Sequence, residues 1–238
     1  EILRGAAEAF HGGWRKVKFY FMLGLPTETE EDVKGIAFLA DRVARRFYDI
    51  PREERKGNKR VEIVVSTSFF VPKPFTPFQW VKQARSEELM EKRRILSDEI
   101  RAQLNHRSIK YNWHDFSLTR LEGLFARGDR RLSGLLLAAY RNGCRYDAWT
   151  DQFNEEGWEK ALAETGTDLD FYIYRERPVG ELLPWDFIDL GVSREFLARE
   201  YELAKQAIVT PNCRDKCSGC GCASYGTGIC RKGRSPAG

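Results

Sequence analysis

Apolar and polar positions along the first half of the chain follow helical and strand periodicities in turn. Residues 2–12 have a helical spacing of apolar positions and end at two glycines, which commonly terminate helices. The apolar and aromatic runs Lys16–Leu23 and Val61–Phe70 predict two strands. Between them, "GLPTETEED" leads into a helix predicted near Thr27–Phe47, with acidic residues at its positive end. Residues 84–106 carry an apolar stripe at helical spacing and predict a long helix.

This helix–strand–helix–strand–helix order predicts parallel strands that are joined by helical crossovers. Residues Ile109–Phe116 add one more candidate strand, and amphipathic helices follow it. These amphipathic helices cover Ser117–Gly143, and Arg127-Gly128-Asp129 within them is interpreted as the end of a helix. The chain after Gly143, to about Leu190, is interpreted as irregular and rich in aromatic residues. A final helix is predicted over Ser193–Ala207. Because so few strands cannot close a barrel, we expect the first part of a larger sheet to lie upstream of Glu1.

Composition narrows the class of protein. The chain has 238 residues, of which 31% are charged and 42% hydrophobic, as in a globular domain with or without an appendage. It contains neither a long apolar run nor a signal-peptide pattern, so we expect a cytoplasmic protein without a membrane span. The net charge of +4 is small, and the basic run Arg52–Arg60 fits either a solvated loop or a nucleic-acid patch.

Five of the six cysteines lie between Cys213 and Cys230. Such clustering in a chain without a signal peptide favours metal ligation over a disulfide framework, with free or paired thiols as the alternative. Four thiolates within ten residues fit a tetrahedral zinc ion or a fully ligated iron–sulfur cluster. Cys230 could replace one ligand, whereas Cys144 is expected to be a buried thiol. The predicted metal ligands are Cys213, Cys217, Cys220 and Cys222.

A strand that ends at Gly24 and runs into a helix is the other candidate site. Ligands in parallel α/β folds collect at the carboxyl ends of strands, although a tight turn without a ligand would have the same pattern. Because side chains alternate along a strand, every second side chain of each strand lies on the same face of the sheet, and either face could point inward. Tyr20 and Met22 could line the site or pack in a core. The two sets of alternate residues are Lys18, Tyr20, Met22 and Gly24 on the first strand, and Glu62, Val64, Ser66 and Ser68 on the second.

The segment "YFMLGLPTETEEDV" resembles the glycine-rich fifth-strand motif of radical S-adenosylmethionine (SAM) enzymes, and "FFVPKPFTPFQW" resembles the segment after their sixth strand. The aromatic residues of the second segment could cover an active site or pack on other strands. The chain is most similar to cobalamin-binding radical SAM proteins, through "LEGLFARGDRRL", "AYRNGCRYDAW", "LPWDFIDLGV" and "TPNCRDKCSGCGC". The resemblance extends over nearly the whole chain.

The resemblance implies a [4Fe–4S] cluster that cleaves SAM reductively to a 5′-deoxyadenosyl radical. It also implies a cobalamin-binding N-terminal domain, and methyl transfer or skeletal rearrangement as the reaction. Met22, Gly24, Pro26 and Ser66 are then the candidate SAM-binding residues. The implied fold is the C-terminal part of a partial (β/α)6 barrel over residues 1–110, a mainly helical extension over 111–209 and a cysteine-rich metal-binding tail over 210–238.

The position of the cysteines departs from the family pattern. In the family, the catalytic Cys-x3-Cys-x2-Cys lies upstream of the glycine-rich turn, but no cysteine precedes Gly24 here. The terminal Cys213-x3-Cys217-x2-Cys220 has the catalytic spacing, but Cys222 would close a site that needs one free iron position. We therefore assign no catalytic residue and predict that this chain alone does not cleave SAM. The alternative is a nucleic-acid-binding accessory module with a cysteine knuckle, for which RNA is a candidate partner that the sequence itself does not indicate.

Overall fold

The computed structural model describes residues 1–55, 60–149 and 151–226, so residues 56–59 of the basic run lie outside the described part. The chain divides into two compact units. The first contains Glu1–Phe70 and Ala84–Thr119, and the second contains Val71–Gln83 and Arg120–Gly238. The structure is mixed α/β. No helix within the described residues is both long and apolar enough to cross a membrane.

The first unit alternates helices and strands in the predicted order. Its elements are α1 (Ile2–His11), β1 (Lys16–Leu23), α2 (Glu30–Tyr48), β2 (Glu62–Phe69), α3 (Ser86–Ala102) and β3 (Ile109–Trp113). The strands form one sheet in the order β1-β2-β3, and both pairs are parallel. The predicted parallel pairing of β1 and β2, with α2 between them in the chain, is confirmed.

The helices of this unit bury one face of the sheet. Leu23, Ile63 and Val65 point into that core and are fully buried. Phe10 of α1 meets Phe47 of α2 edge to face, with 5.6 Å between ring centroids. Each such buried aliphatic or aromatic side chain stabilises the fold by roughly 1.5–3 kcal/mol, so burial of this face decides the orientation of the sheet.

Helix α3 is shorter than predicted. It ends at Ala102, and Leu104, which lies within the predicted range of 84–106, is 77% exposed. Gln103 is already extended, with φ −71° and ψ 148°. The chain then turns so that the backbone N–H and side-chain amide of Asn105 both donate to Asp41 Oδ1, at 2.9 Å each. These contacts to α2 replace the last turn of the predicted helix.

The second unit is helical. Beyond the segment Val71–Gln83 it contains most of α4 (Phe116–Arg127), then α5 (Ser133–Arg141), α6 (Glu155–Thr165), a π-helical turn (Asp170–Tyr174) and α7 (Arg194–Lys205). The prediction that the chain before Leu190 is largely irregular was wrong for α6 and the π-helical turn. Asn154 caps α6 by accepting from Gly157 N–H at 3.0 Å, and Trp158, Ala161 and Leu162 form its buried stripe.

Candidate functional site

The turn after β1 requires glycine at Gly24. Its φ is +85°, and a Cβ there would lie 2.7 Å from Leu89 Cδ2. The N–H groups of Gly24 and Leu25 donate to Glu28 Oε2 at 2.7 and 3.1 Å. A ligand at this strand end would otherwise meet these two N–H groups, but in the structure a side chain of the same turn accepts from both.

Glu28 also pairs with a residue far away in the sequence. Its Oε1 lies 3.0 Å from Lys92 Nζ of α3, and the two side chains are only 7% and 23% exposed. Sequence reasoning treated Glu28 as one of several acidic residues at a helix start. Nothing near Glu28 in the sequence identifies a partner 64 positions away.

The start of α2 is capped by its own residues. Thr29 Oγ1 accepts from Asp32 N–H at 3.3 Å, and Asp32 Oδ2 accepts from Thr29 N–H at 2.8 Å. This capping box uses two of the N–H groups that a helix N-terminus would otherwise offer. The hydrogen bond from the Thr29 N–H lowers the pKa of the Asp32 carboxyl.

The second face of the sheet carries the candidate SAM-binding side chains. Tyr20 and Met22 are 74% and 44% exposed, so neither packs in the core of the described structure. Tyr20 pairs in register with Ser66, which is half-buried, and Ser66 with Asn112. The structure therefore brings Tyr20, Met22 and Ser66 onto one face near the carboxyl ends of the strands. The half-buried Gly24 and Pro26 follow in the turn.

The amino-terminal end of this face is ionic. Glu62 lies between two lysines, with 2.6 Å to Lys16 Nζ and 2.5 Å to Lys110 Nζ. Hydrogen bonds from Lys110 and Lys16 lower the pKa of Glu62 to about 2. One face thus has charged groups at one end and aromatic, thioether and hydroxyl groups at the other.

His114 and Asp115 follow β3. A histidine next to an aspartate in the sequence could form a proton-transfer pair or serve the structure. Asp115 Oδ1 accepts from the N–H groups of Ser117 and Leu118 at 2.8 and 3.2 Å, so this carboxylate caps α4. The His114 side chain is exposed, and the backbone N–H of His114 donates to the Thr67 carbonyl at 3.0 Å. These contacts are structural.

The proline-rich aromatic segment belongs to the second unit. Trp80 is fully buried there, and Phe78 and Trp80 both contact the Tyr201 ring, with centroid distances of 6.2 and 6.3 Å. Gln79 Oε1 accepts from Trp185 Nε1 at 2.8 Å. Phe78 and Trp80 therefore pack against α7 in the core of that unit.

The terminal cysteines lie in a segment tied to the second unit. Cys213 and Cys217 are exposed, and Cys220 and Cys222 are partly exposed. Ser193 N–H donates to the Cys220 carbonyl at 2.8 Å. Gly219 and Gly221 have φ of +67° and +106°, as expected for glycines that turn the chain between cysteines.

Within the described residues, no three Cys, His, Asp or Glu side chains are placed to hold a metal ion. Cys230, the possible substitute ligand, lies outside the described residues. Cys144 is buried as expected, and desolvation raises the pKa of its thiol. The four-cysteine metal site stays a prediction, as do the domain boundaries at 110 and 209.

Comparison with known proteins gives little further information. No family model matches the chain. An uncharacterized protein of Methanocaldococcus jannaschii is 28% identical over 160 residues, which are 63% of this chain and 32% of that protein. The chain thus spans about a third of the length of this relative. No solved structure matches it.

Proposed function

We propose that this chain is the C-terminal part of a cobalamin-type radical SAM enzyme and forms the last strands of a partial (β/α)6 barrel. The observation that carries the proposal is the layering of the three-stranded parallel sheet. Its helices cover one face, and the other face presents Tyr20, Met22 and Ser66 near the carboxyl ends of the strands. In a parallel (β/α) barrel the uncovered face lines the interior, and substrates bind at that end.

In this proposal the residues of the chain bind and orient SAM. The Met22 thioether offers an adaptable apolar contact for the adenine ring, and the Ser66 hydroxyl can exchange hydrogen bonds with ribose or methionine groups. Gly24 and Pro26 shape the turn at the strand end, and Glu28 is a positioning residue that holds this turn. A bound [4Fe–4S] cluster would supply the electron for SAM cleavage, and no residue of this chain is assigned to bind that cluster.

The terminal cysteines are proposed to hold a structural zinc ion or a second iron–sulfur cluster. Cys213, Cys217, Cys220 and Cys222 are the proposed ligands. A short polar segment has little apolar surface to bury, and metal binding commonly provides the folding energy of such segments. The glycines at 219 and 221, with left-handed φ, allow neighbouring thiolates to turn toward one centre.

The proposal is tested by SAM cleavage in the full-length polypeptide that contains this chain. After anaerobic reconstitution and reduction, we expect 5′-deoxyadenosine from the full-length polypeptide and only background from residues 1–238 alone. Ser66→Ala should raise the KM for SAM. Ser133→Ala, the same change at an exposed serine of α5 in the second unit, should leave that KM unchanged. Absence of cleavage by the full-length polypeptide would reject the proposal. Robust cleavage by residues 1–238 that Cys217→Ala abolishes would make the terminal motif catalytic.

The cysteine site has a separate test. Protein purified anaerobically is analysed for zinc, iron and sulfide, with Cys213, Cys217, Cys220 and Cys222 each changed to serine. The matched control is Cys144→Ser. Cys144 is buried, and it lies far from the four proposed ligands along the sequence. We expect each of the four variants to lose metal and the control to retain it. Metal below about half an equivalent, or unchanged content in all four, would exclude a shared site.

Nucleic-acid binding is the second candidate, and a basic cavity favours it. The cavity has a volume of about 690 Å³ at the amino ends of the strands. Trp14, which is 70% exposed, lies at its edge, and Glu62 is the acidic residue among the lining residues. Its basic lining residues are Arg15, Lys16, Arg60, Arg107 and Lys110. Aromatic and basic groups together suit stacked bases and phosphates.

Binding of a single-stranded RNA over a range of salt concentrations tests this candidate. Affinity should fall steeply with salt, and Arg107→Glu should weaken binding, while Arg4→Glu on α1 should not. Affinity that is independent of salt, or equal effects of the two variants, would reject it.

A further inference from the structure

The second unit concentrates positive charge around a cavity of about 610 Å³. Arg131 pairs with Asp129 and Arg175 pairs with Glu181, each at 2.6 Å. Arg130 and Arg177 also line the cavity, and neither forms an ion pair with a carboxylate of the described residues. The cavity lining therefore has four arginines against two carboxylates, and Arg127 is hydrogen-bonded to three of the lining residues, Tyr172, Arg175 and Arg177.

Two of these arginines are buried. Arg127 is fully buried, and its guanidinium donates to the carbonyls of Tyr172, Val81 and Arg175. Arg177 is 3% exposed and donates through Nη2 to the carbonyls of Arg127 and Tyr172, at 3.0 and 3.2 Å. Its Nε–H is buried and has no hydrogen-bond acceptor among the described residues. Carbonyl groups satisfy some donors but do not neutralise the charge, and a buried charge without a counter-charge is costly.

The titration of these groups agrees with unneutralised positive charge. Burial, followed by the nearby charge of Arg177, lowers the pKa of Arg127 to about 9. Burial, followed by the charge of Arg175, lowers the pKa of Arg177. An anion in the cavity would oppose both effects.

The rim of the same cavity is apolar. Leu182 and Phe187 are 83% and 86% exposed, and Phe171 is 39% exposed. The guanidinium groups of Arg131 and Arg175 lie over the Phe171 ring, 5.3 and 4.7 Å from its centroid. Exposed aromatic and aliphatic side chains beside a basic interior match a ligand with one anionic end and one apolar end. The volume is within the range of about 300–1,000 Å³ that is common for small-molecule sites.

We propose that this cavity binds a small organic phosphate. The phosphate lies between Arg130 and Arg177, and the organic group packs against Leu182 and Phe187. A phosphate monoester carries close to two negative charges at neutral pH, which matches Arg130 and Arg177, the two lining arginines without a carboxylate partner in the described part of the chain. The planar guanidinium group also suits bidentate contact with phosphate oxygens. This site is independent of the proposed SAM-binding face, which is formed by strands of the first unit.

Calorimetric titration with phenyl phosphate, inorganic phosphate and benzoate tests the proposal on this chain. Phenyl phosphate should bind more tightly than either of the other two, since it alone carries both a dianion and a ring. Arg130→Glu should weaken phenyl phosphate binding about tenfold or more, because a charge-assisted contact becomes a repulsion. Phe187→Ala should weaken phenyl phosphate and leave inorganic phosphate unchanged. Both side chains are exposed, so neither substitution threatens folding.

The matched control is Arg141→Glu, which makes the same charge change on an exposed arginine of α5. It should leave the affinity for phenyl phosphate within about twofold of the parent chain. Equal affinities for phenyl phosphate and inorganic phosphate would overturn the proposed packing of the organic group against Leu182 and Phe187. Benzoate that binds as tightly as phenyl phosphate would overturn the proposed recognition of phosphate by Arg130 and Arg177. Equal effects of Arg130→Glu and Arg141→Glu, or absence of binding at millimolar concentration, would overturn the site.

Discussion

Replacing Glu28 with alanine should destabilise the first unit, since this one carboxylate has two sets of partners. Its Oε2 accepts from the N–H groups of Gly24 and Leu25, and its Oε1 pairs with Lys92 at 3.0 Å. The Glu28 side chain is 7% exposed, so little water can replace it as the partner of Lys92. The substitution therefore removes a largely buried ion pair together with two hydrogen bonds that backbone N–H groups donate to the carboxylate.

The expected magnitude follows from these contacts. Breaking a fully buried ion pair costs about 3–5 kcal/mol, and the cost here lies at or below the lower end because Lys92 is 23% exposed. Each lost backbone contact adds about 0.5–1.5 kcal/mol unless water reaches the N–H group. We expect Glu28→Ala to lower the free energy of unfolding by about 2–4 kcal/mol. Glu28→Gln keeps an oxygen acceptor but loses the charge, and should cost about half as much.

Urea unfolding monitored by circular dichroism measures the free energy of unfolding. Amide hydrogen exchange by NMR measures the protection of individual N–H groups at the turn. Glu28→Ala should abolish the exchange protection of the Gly24 and Leu25 amides. A double-mutant cycle with Lys92→Met should give a coupling of about 1 kcal/mol or more. The matched control, Glu31→Ala, changes an exposed glutamate of the same helix start and should cost under about 1 kcal/mol. A loss below about 1 kcal/mol for Glu28→Ala, or unchanged amide protection, would refute the reasoning.

Two further predictions concern the same unit. Gly24→Ala should lower the free energy of unfolding in urea by about 2–3 kcal/mol, because φ is +85° and Leu89 crowds the new methyl group. Gly35→Ala in α2, where a methyl group meets open space, should raise it by about 0.5–1 kcal/mol. Similar effects of the two substitutions would contradict this prediction. Glu62 should titrate by NMR near pH 2, below its ordinary 4.5, so its stabilising contribution is complete above pH 4.5 and is lost as the pH falls toward 2. Lys110→Met should raise that midpoint, and a midpoint near 4.5 in the parent chain would show that the lysine contacts do not form in solution.

Local sequence determined most elements of the first unit. β1 covers Lys16–Leu23 as predicted, and α2 starts after the Thr29 cap within the predicted range. Such features depend on residues within about four positions, namely alternation, capping and the backbone freedom of glycine. The same signals were present for α6, where Asn154 caps a stripe of Trp158, Ala161 and Leu162. The aromatic composition of that region obscured this pattern.

Tertiary structure alone decided which face of the sheet is covered and which polar groups are buried. Alternation on β1 is equally compatible with either face inward, and only the packing of α1, α2 and α3 leaves Tyr20 and Met22 exposed. Arg127 ends α4, which confirms its interpretation as a helix end, but its full burial and its bonds to carbonyl groups 45 to 48 positions away depend on the fold. The pairing of Glu28 with Lys92 spans 64 positions. Burial and charge pairing depend on such distant partners, which the chain brings together only when it folds.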